Sequence, residues 1–301
     1  MKFGSGDEAD ASQVEDRRGG GGGFGFPGGR IGAGAGGISV VGVLLYLAIR
    51  LLGGDVSPNA VPGTDVPSGP QGPVDPASTT NRALGGSCQG ASASGDQGKF
   101  VSCVQSNVQA FWNGKLSHYT PAKLVLFEDR TPSGCGLASA VTGPFYCPED
   151  GKVYLDLGFF QELHARFGAR GGDFAEAYVV AHEYGHHVQH LLGIEQKFRR
   201  TIDESPDRRR ALSVRLELQA DCYAGVWGHS AYDQGKVAST EIADALDAAA
   251  AVGDDRIQQE TTGRVNPEKF THGSSAERQH WFNVGMSVGD PGKCDTFGGH
   301  L

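Results

Sequence analysis

The sequence predicts a predominantly helical α+β domain with a small sheet or hairpin, preceded by one transmembrane helix. The composition of the 301-residue chain changes near residue 85, which leaves residues 87–301 as the foldable part. Within that part, apolar side chains recur at intervals of three and four residues over 173–192 and about 208–232, the spacing of amphipathic helices. Ahead of it, residues 31–52 carry no charged side chain before Arg50.

The N-terminal part is predicted to hold a disordered tail, a membrane span and a linker. Residues 1–30 mix acidic residues with the run GGGGGFGFPGG, and residues 53–86 are rich in proline, glycine and serine, so neither can bury a core. At about 1.5 Å per residue, segment 31–52 reaches roughly 33 Å, enough to cross a bilayer. A buried core helix or a glycine-rich hinge is the alternative for this segment, but flanks without a core argue against burial.

Positive charges predict the orientation of this span. After Arg50 the next cation is Arg82, whereas four cations precede the span: Lys2, Arg17, Arg18 and Arg30. Because cytoplasmic flanks are enriched in lysine and arginine, we expect a single-pass membrane protein. Its N-terminus would be cytoplasmic and its domain extracytoplasmic, either periplasmic or external. A cleaved signal peptide fits less well, since no A-x-A-type site follows the apolar stretch.

The domain is predicted to begin with a helix and a few short strands. The aromatic-rich segment Phe100–Trp112 indicates the helix, and Leu124–Glu128 indicates a strand. Ala138–Thr142 and Lys152–Leu157 flank the turn-forming residues 148–151, which predicts a hairpin. Beyond the two amphipathic helices, further helices are predicted over about 239–260 and 274–288.

All six cysteines lie in the domain predicted to be exported, where an even number indicates disulfides. Fifteen pairings are possible, and the sequence does not choose among them. We favour two local pairs and the pair that remains: Cys88–Cys103, Cys135–Cys147 and Cys222–Cys294. A second zinc site of thiolates would need CxxC-like spacing, which is absent. The net charge of −9 provides no basic face for nucleic acid, so no such partner is expected.

The helical segment 173–192 contains the motif HEYGH at residues 182–186. Residues four apart project from the same face of an α-helix, so the two imidazoles can bind one Zn²⁺. Glu183 would then lie beside a metal-bound water as the general base. A surface helix that happens to carry two histidines is the alternative. The longer motif HExxHxxGxxH is excluded, because Gln189 and Leu192 replace its glycine and third histidine.

A catalytic zinc site needs a third protein ligand, and the second amphipathic helix supplies a candidate. In the sequence ELQAD, Glu217 and Asp221 lie one helical turn apart on a shared face. Glu217 can complete a His₂Glu site with His182 and His186, while Asp221 accepts the free N–H of His182 and fixes its tautomer. Two exposed carboxylates are the alternative, but the apolar residues around the pair would make unpaired carboxylates costly.

Four segments carry a resemblance to a known family. They are HEYGHHVQ (182–189), LELQADCYAG (216–225), CGLASAVTGPFYCPEDGKVYLDLGFF (135–160) and THGSSAERQHWF (271–282). Over about residues 85–301 the chain resembles the membrane-anchored neutral zinc metallopeptidases of the bacterial YpfJ-like family, and more distantly the gluzincin peptidases. The resemblance implies a gluzincin-like domain with one catalytic Zn²⁺ that hydrolyses peptide bonds. Membrane anchoring indicates a peptide or protein substrate in the cell envelope.

The resemblance also implies roles for two other segments. In gluzincin-like sites an edge strand binds the substrate by backbone pairing, which makes Leu137–Val141 the candidate, with an ordinary structural hairpin as the alternative. His272, at a loop-to-helix boundary, would donate a hydrogen bond to the oxyanion of a tetrahedral intermediate, and Arg278 would reinforce it. His187 and His190 are not expected to be ligands.

Two other functions fit part of the pattern. A non-catalytic, zinc-stabilised binding module anchored in the membrane would keep the metal ligands but would have no need of Glu183, so the intact His-Glu pair favours an enzyme. A zinc hydrolase with a non-peptide substrate is the other alternative.

Overall fold

The structure of the protein, a computed structural model, describes residues 1–19, 83–139 and 142–298. It is mostly helical with small sheets, as predicted for an α+β chain. The strands are β1 (Glu8–Ala9), β2 (Val14–Asp16), β3 (Gly86–Ser87), β4 (Lys123–Phe127), β5 (Arg130–Ser133), β6 (Gly136–Ser139), β7 (Phe145–Cys147) and β8 (Lys152–Asp156). The α-helices are α1 (Gln97–Lys115), α2 (Gly158–Phe167), α3 (Asp173–Leu191), α4 (Ile194–Glu204), α5 (Arg209–Asp233), α6 (Ser239–Ala251), α7 (Asp254–Thr262) and α8 (Ser275–Val288).

A four-stranded sheet in the order β2-β4-β8-β7 forms one layer of the domain. β2, β4 and β8 are parallel to one another, whereas β7 runs antiparallel to β8. The central strand β4 is buried without interruption from Leu124 to Phe127. Because successive side chains point to opposite faces, both faces of this strand are covered, which explains its continuous apolar sequence.

The predicted hairpin between Ala138–Thr142 and Lys152–Leu157 is wrong in its pairing. β8 pairs with β7 through the turn at residues 148–151, whereas β6 pairs with β5. The turn places Cys147 directly opposite the first residue of β8. The residues immediately before the turn, which form β7, therefore pair with β8, because a short turn favours pairing of the two segments that it joins. A disulfide from Cys135 to Cys147 joins the two hairpins.

Residues 1–18 form an arm that packs on the domain, so the predicted disorder of residues 1–30 is wrong for this part. β1 pairs antiparallel with β3, and β2 adds a parallel strand to the edge of β4. Met1, Phe3 and Val14 are buried in the main core. Three separated apolar residues do not predict a strand by themselves. Pairing with β4 stabilises β2, because the backbone groups at the edge of β4 need hydrogen-bond partners.

The predicted transmembrane anchor (31–52) and most of the predicted linker (53–86) lie outside the described residues. Within the described ranges, no helix combines the length and the apolar character that a bilayer crossing needs. The arm nevertheless limits the predicted topology. It belongs to the same packed body as residues 83–298, whereas a chain that crossed a membrane once between them would leave them on opposite sides. A cytoplasmic N-terminus combined with an extracytoplasmic domain is therefore inconsistent with this packing.

The helical layer agrees with the sequence prediction except in one segment. The predicted helix 239–260 is two helices, α6 and α7, which meet at Gly253. A side chain on Gly253 would overlap Ser275 at the start of α8, so the packing of α8 coincides with this break. The predicted helices that match observed ones are 173–192 (α3), about 208–232 (α5), 274–288 (α8) and Phe100–Trp112 (within α1).

Glycines let three helices of this layer approach closely. A Cβ atom on Gly185 in α3 would lie 2.9 Å from the carbonyl oxygen of Ala220 in α5. Where α5 crosses α8, Cβ atoms on Gly225 and Gly285 would overlap the backbone of the opposite helix. The three helices therefore pack backbone to backbone, and the polar side chains between them share a small volume.

Three disulfides staple the domain, and all three pairs that we favoured are present. Cys88–Cys103 ties the segment after β3 to α1, and Cys135–Cys147 lies in the sheet layer. Cys222–Cys294 ties α5 to the C-terminal segment, with the two Cα atoms 5.6 Å apart. The last pair is adjacent in sequence to Asp221, so it anchors the C-terminal segment next to the predicted metal site.

Candidate metal centre

α3 and α5 bring together the three predicted zinc ligands. His182 Nε2 lies 3.2 Å from Glu217 Oε2, and His186 Nε2 lies 3.6 Å from Glu217 Oε1. One ligand atom from each residue lies within 4.8 Å of the others. His182 is buried, and the other two are nearly so. Two imidazoles and one carboxylate on adjacent helices form the donor set that zinc prefers in catalytic sites.

The charges around these groups favour a cation in the pocket. Burial by itself would lower the pKa of His182, but Asp221 and Glu217 outweigh it and raise this pKa to about 10. Burial would likewise raise the pKa of Glu217, yet His186 and His182 hold it well below its ordinary value. An anionic pocket that binds protons so tightly is suited to a divalent cation, which would replace them.

Asp221 orients His182 from behind. Its Oδ1 accepts a hydrogen bond from His182 Nδ1 at 2.8 Å and another from the hydroxyl of Tyr178. With Nδ1 protonated, Nε2 of His182 keeps its lone pair for a metal. The carboxylate is fully buried, and although burial raises its pKa, Arg278 and His182 bring the pKa below its ordinary value. Asp221 therefore occupies the place predicted for it, behind the ligand.

Arg278 forms a bidentate ion pair with the carboxylate of Asp221 and does not point at the ligand atoms. Its Nε donates to Asp221 Oδ2 at 2.8 Å and its Nη2 donates to Asp221 Oδ1 at 2.9 Å. The remaining donors contact the hydroxyl of Tyr178 and the carbonyl of Val252. Only 4% of the residue is exposed. This bidentate pair differs from the predicted oxyanion role, and we expect Arg278 to position Asp221.

Glu183 lies on α3 beside the ligands and faces the sheet. It is buried, and this burial raises the pKa of its carboxyl even though His182 and His186 lower it. The backbone N–H of Tyr146, in the edge strand β7, lies near enough to the carboxylate to lower this pKa as well. A carboxylate with a raised pKa next to a metal site suits proton transfer.

His272 lies in the loop that precedes α8, near enough to Glu217 for their charges to interact. Burial lowers the pKa of its imidazole, but Asp254 and Glu217 outweigh it and raise this pKa. Asp254 also accepts hydrogen bonds from three consecutive backbone N–H groups, those of Thr271, His272 and Gly273. This carboxylate holds the loop in place. Sequence analysis missed it because Asp254 fell inside a predicted continuous helix.

The predicted substrate strand lies partly outside the described residues, since positions 140 and 141 are not among them. Leu137 in β6 is 55% exposed, which is unusual for a large apolar side chain in this domain. The strand next to Glu183 is β7, which pairs with β8 at the edge of the described four-stranded sheet. The substrate role of Leu137–Val141 stays a prediction, and β7 is a second candidate edge.

Comparison with known proteins supports what the geometry indicates. A family model described as "Putative neutral zinc metallopeptidase" matches residues 1–297. The chain belongs to this family. The match includes the arm as well as the helical layer, and it confirms the family resemblance predicted from the sequence. No solved structure matches the chain significantly.

Three relatives of this chain are bacterial proteins. The uncharacterized protein YpfJ of Escherichia coli strain K12 is 41% identical over 297 residues, which cover 96% of each chain. The uncharacterized proteins Mb2605 of Mycobacterium bovis and Rv2575 of Mycobacterium tuberculosis are each 50% identical over 216 residues, or 67% of this chain and 72% of theirs. Family membership supports a peptidase role and a zinc ion in general terms.

Proposed function

We propose that the protein is a zinc metalloendopeptidase in which His182, His186 and Glu217 bind one catalytic ion and Glu183 is the general base. The observation that carries this proposal is the position of Glu183. It lies on the ligand helix with a raised pKa, although the ligand set is complete without it. A non-catalytic zinc module would gain nothing from a buried carboxylate at this place.

The proposed chemistry divides the work among these residues. Zn²⁺ held at the site would polarise the scissile carbonyl and lower the pKa of a bound water towards about 7. Glu183 takes a proton from the attacking water and later gives it to the leaving amine, as its position between the ligands and β7 allows. His272, oriented by Asp254, donates a hydrogen bond to the carbonyl oxygen as negative charge develops there.

The substrate would be a peptide or protein segment in extended conformation. Strand β7 stands at the edge of the described four-stranded sheet and lies next to Glu183, so a peptide that pairs along β7 would present a bond to the site. Because Phe145–Cys147 are buried, this edge would have to become accessible when the peptide binds. β6, with the exposed Leu137, would offer an apolar contact to substrate side chains. Binding along a strand favours unfolded or flexible segments over compact domains.

The site would act outside the cytoplasm, on substrates of the cell envelope. Three disulfides support an oxidising compartment, where such bonds persist. Because the arm packs on the disulfide-bonded domain, we propose that both lie on this external side of the bacterial membrane. If residues 31–52 insert into the membrane, as their sequence predicts, the chain must return to the side from which it entered.

Two substitutions in the purified full chain test the mechanism. Glu183→Gln keeps the size and hydrogen-bonding capacity of the side chain but removes the base, so cleavage of a peptide library should fall about 10²- to 10⁴-fold while zinc stays bound. Glu217→Ala removes a ligand, so the zinc content should fall from about one ion per chain towards zero. Zinc content is measured by atomic absorption after dialysis.

The results also separate the alternatives. Undiminished cleavage by Glu183→Gln would exclude its role as the base, and undiminished zinc binding by Glu217→Ala would exclude its role as a ligand. A wild-type chain that binds zinc but cleaves no peptide would contradict the peptidase proposal and favour a binding module or a hydrolase with another substrate. Glu277→Gln is a control, because Glu277 caps α8 at an exposed position.

A further inference from the structure

We infer that Gln189 is a positioning residue for the metal ligand His186, and that Gln219 connects it to the C-terminal segment at Cys294. This inference rests on the proposed metal site. His186 lacks the carboxylate partner that Asp221 provides for His182, and the glutamine one helical turn along α3 takes that place. The contact is His186 Nδ1 to Gln189 Oε1, at 2.9 Å.

The surrounding carbonyl groups determine which way this amide points. Gln189 has a nitrogen 2.7 Å from the backbone oxygen of Leu216, and a backbone oxygen can only accept a hydrogen bond. The atom facing Leu216 must therefore be Nε2, which turns Oε1 towards His186. Because Oε1 can only accept, Nδ1 of His186 must carry the proton. The lone pair then lies on Nε2, the nitrogen that faces Glu217.

The orientation of a second buried amide, that of Gln219, is determined in the same way. Gln219 Nε2 donates to the backbone oxygen of Cys294 at 2.9 Å, so its Oε1 accepts from Gln189 Nε2 at 3.0 Å. Only 1% of Gln189 and 5% of Gln219 are exposed, so water does not readily replace these bonds. Cys294 is held to α5 by its disulfide with Cys222. The tautomer of His186 is thus set by two backbone carbonyls through two amides.

Zinc affinity of the full chain, measured by competition with a chromophoric chelator, tests this inference. Gln189→Leu keeps the volume but removes the acceptor for His186, so its zinc dissociation constant should rise about 10- to 100-fold. Gln219→Leu leaves Gln189 in place but removes one of its two acceptors, so it should weaken zinc binding in the same direction and by less. With Co²⁺ in place of Zn²⁺, the visible absorption of Gln189→Leu should also change.

Gln109→Leu is the matched control. Gln109 is a buried helical glutamine whose Oε1 accepts hydrogen bonds from the backbone N–H of Ala122 and the hydroxyl of Tyr119, neither of which is a proposed ligand. Its substitution should destabilise the fold without changing zinc affinity. An unchanged zinc affinity of both Gln189→Leu and Gln219→Leu would overturn the inference, as would an equal loss of affinity in Gln109→Leu. A wild-type chain that binds no zinc would instead contradict the metal site itself.

Discussion

The helical layer and the sheet contribute to the site in different ways. α3, α5 and α8 supply side chains: the proposed ligands, the proposed base and the buried pair of Asp221 and Arg278. The sheet contributes through its backbone, since the N–H of Tyr146 in β7 lies near enough to Glu183 to lower its pKa. The two layers also pack differently. The helices contact each other at glycines, whereas large apolar side chains pack against the sheet.

This difference predicts where the protein tolerates change. A site made of side chains depends on the identity of each residue and on the distance between helices, so substitutions in the helical layer should affect folding and metal binding together. A site made of backbone depends on the position of a strand, so substitutions of exposed side chains in the sheet layer should change substrate affinity only.

Arg278→Met should have the largest effect on stability. Removing the guanidinium leaves Asp221 charged and fully buried without its main partner, which costs about 3–5 kcal/mol of unfolding free energy. Urea denaturation of the metal-free protein measures this loss. The double variant Asp221→Asn with Arg278→Met removes the uncompensated charge and should recover part of it. A single variant as stable as the wild type would show that the helical layer does not depend on this pair.

Gly285→Ala should separate α5 from α8. The added methyl group would overlap the backbone of Cys222, so the helices must move apart at a cost of about 1–3 kcal/mol, and zinc affinity should fall because Asp221 moves with α5. Gly114→Ala in α1 is the matched control, since nothing lies within 4 Å of its Cβ position. There the better helix propensity of alanine should stabilise the protein by up to about 1 kcal/mol. Equal results for the two variants would contradict close helix packing.

Glu176 tests whether the helical layer tolerates a half-buried charge outside the proposed ligand set. Burial raises its pKa to about 7, although Gln97 donates hydrogen bonds to the carboxylate. Since the folded pKa lies above the unfolded value, stability is lost as the pH rises from about 4.5 through 7 and remains lower above that. Glu176→Gln should therefore gain about 2 kcal/mol relative to wild type at pH 8 and almost nothing at pH 4.5. Urea denaturation at both pH values measures the difference, and a gain independent of pH would contradict it.

Leu137→Ser should have the smallest effect. The side chain is 55% exposed in β6, so its loss should change the unfolding free energy by less than about 0.5 kcal/mol. If this strand contacts the substrate, KM for an apolar peptide should rise several-fold while kcat stays constant. Val288→Ser, which replaces a residue 49% exposed at the end of α8, is the control and should leave KM unchanged. A fall in kcat alone would assign Leu137 to the chemistry instead of to binding.

The sequence alone predicted what depends on short-range spacing. HEYGH and ELQAD each lie within two turns of a helix, so their shared faces follow from helical geometry, and the three disulfide pairs were also correct. Long-range placement was not accessible. In the sequence, Gln189 serves only to exclude a longer motif. Its contact with His186 depends on the orientation of its amide, which Leu216 and Gln219 in another helix determine.

The errors have the same origin. The break between α6 and α7 occurs where Ser275, distant in sequence, packs against Gly253, so no local signal marked it. The composition of β6 and β8 predicts that they form a hairpin, but the turn at residues 148–151 pairs β8 with β7. The sequence of the arm predicts disorder because the arm is stabilised by β4, which lies about a hundred residues later.

This last feature has a consequence for the time course of folding. Val14 pairs with Leu124, and a parallel contact across so much chain closes a large loop, which makes it slow to form. During synthesis the arm leaves the ribosome long before its partner strand exists. Until the arm docks, one edge of β4 is unpaired, and such an edge can bind strands of other chains. Docking of the arm therefore covers an edge to which strands of other chains could bind, and the time at which it docks determines how long that edge stays open.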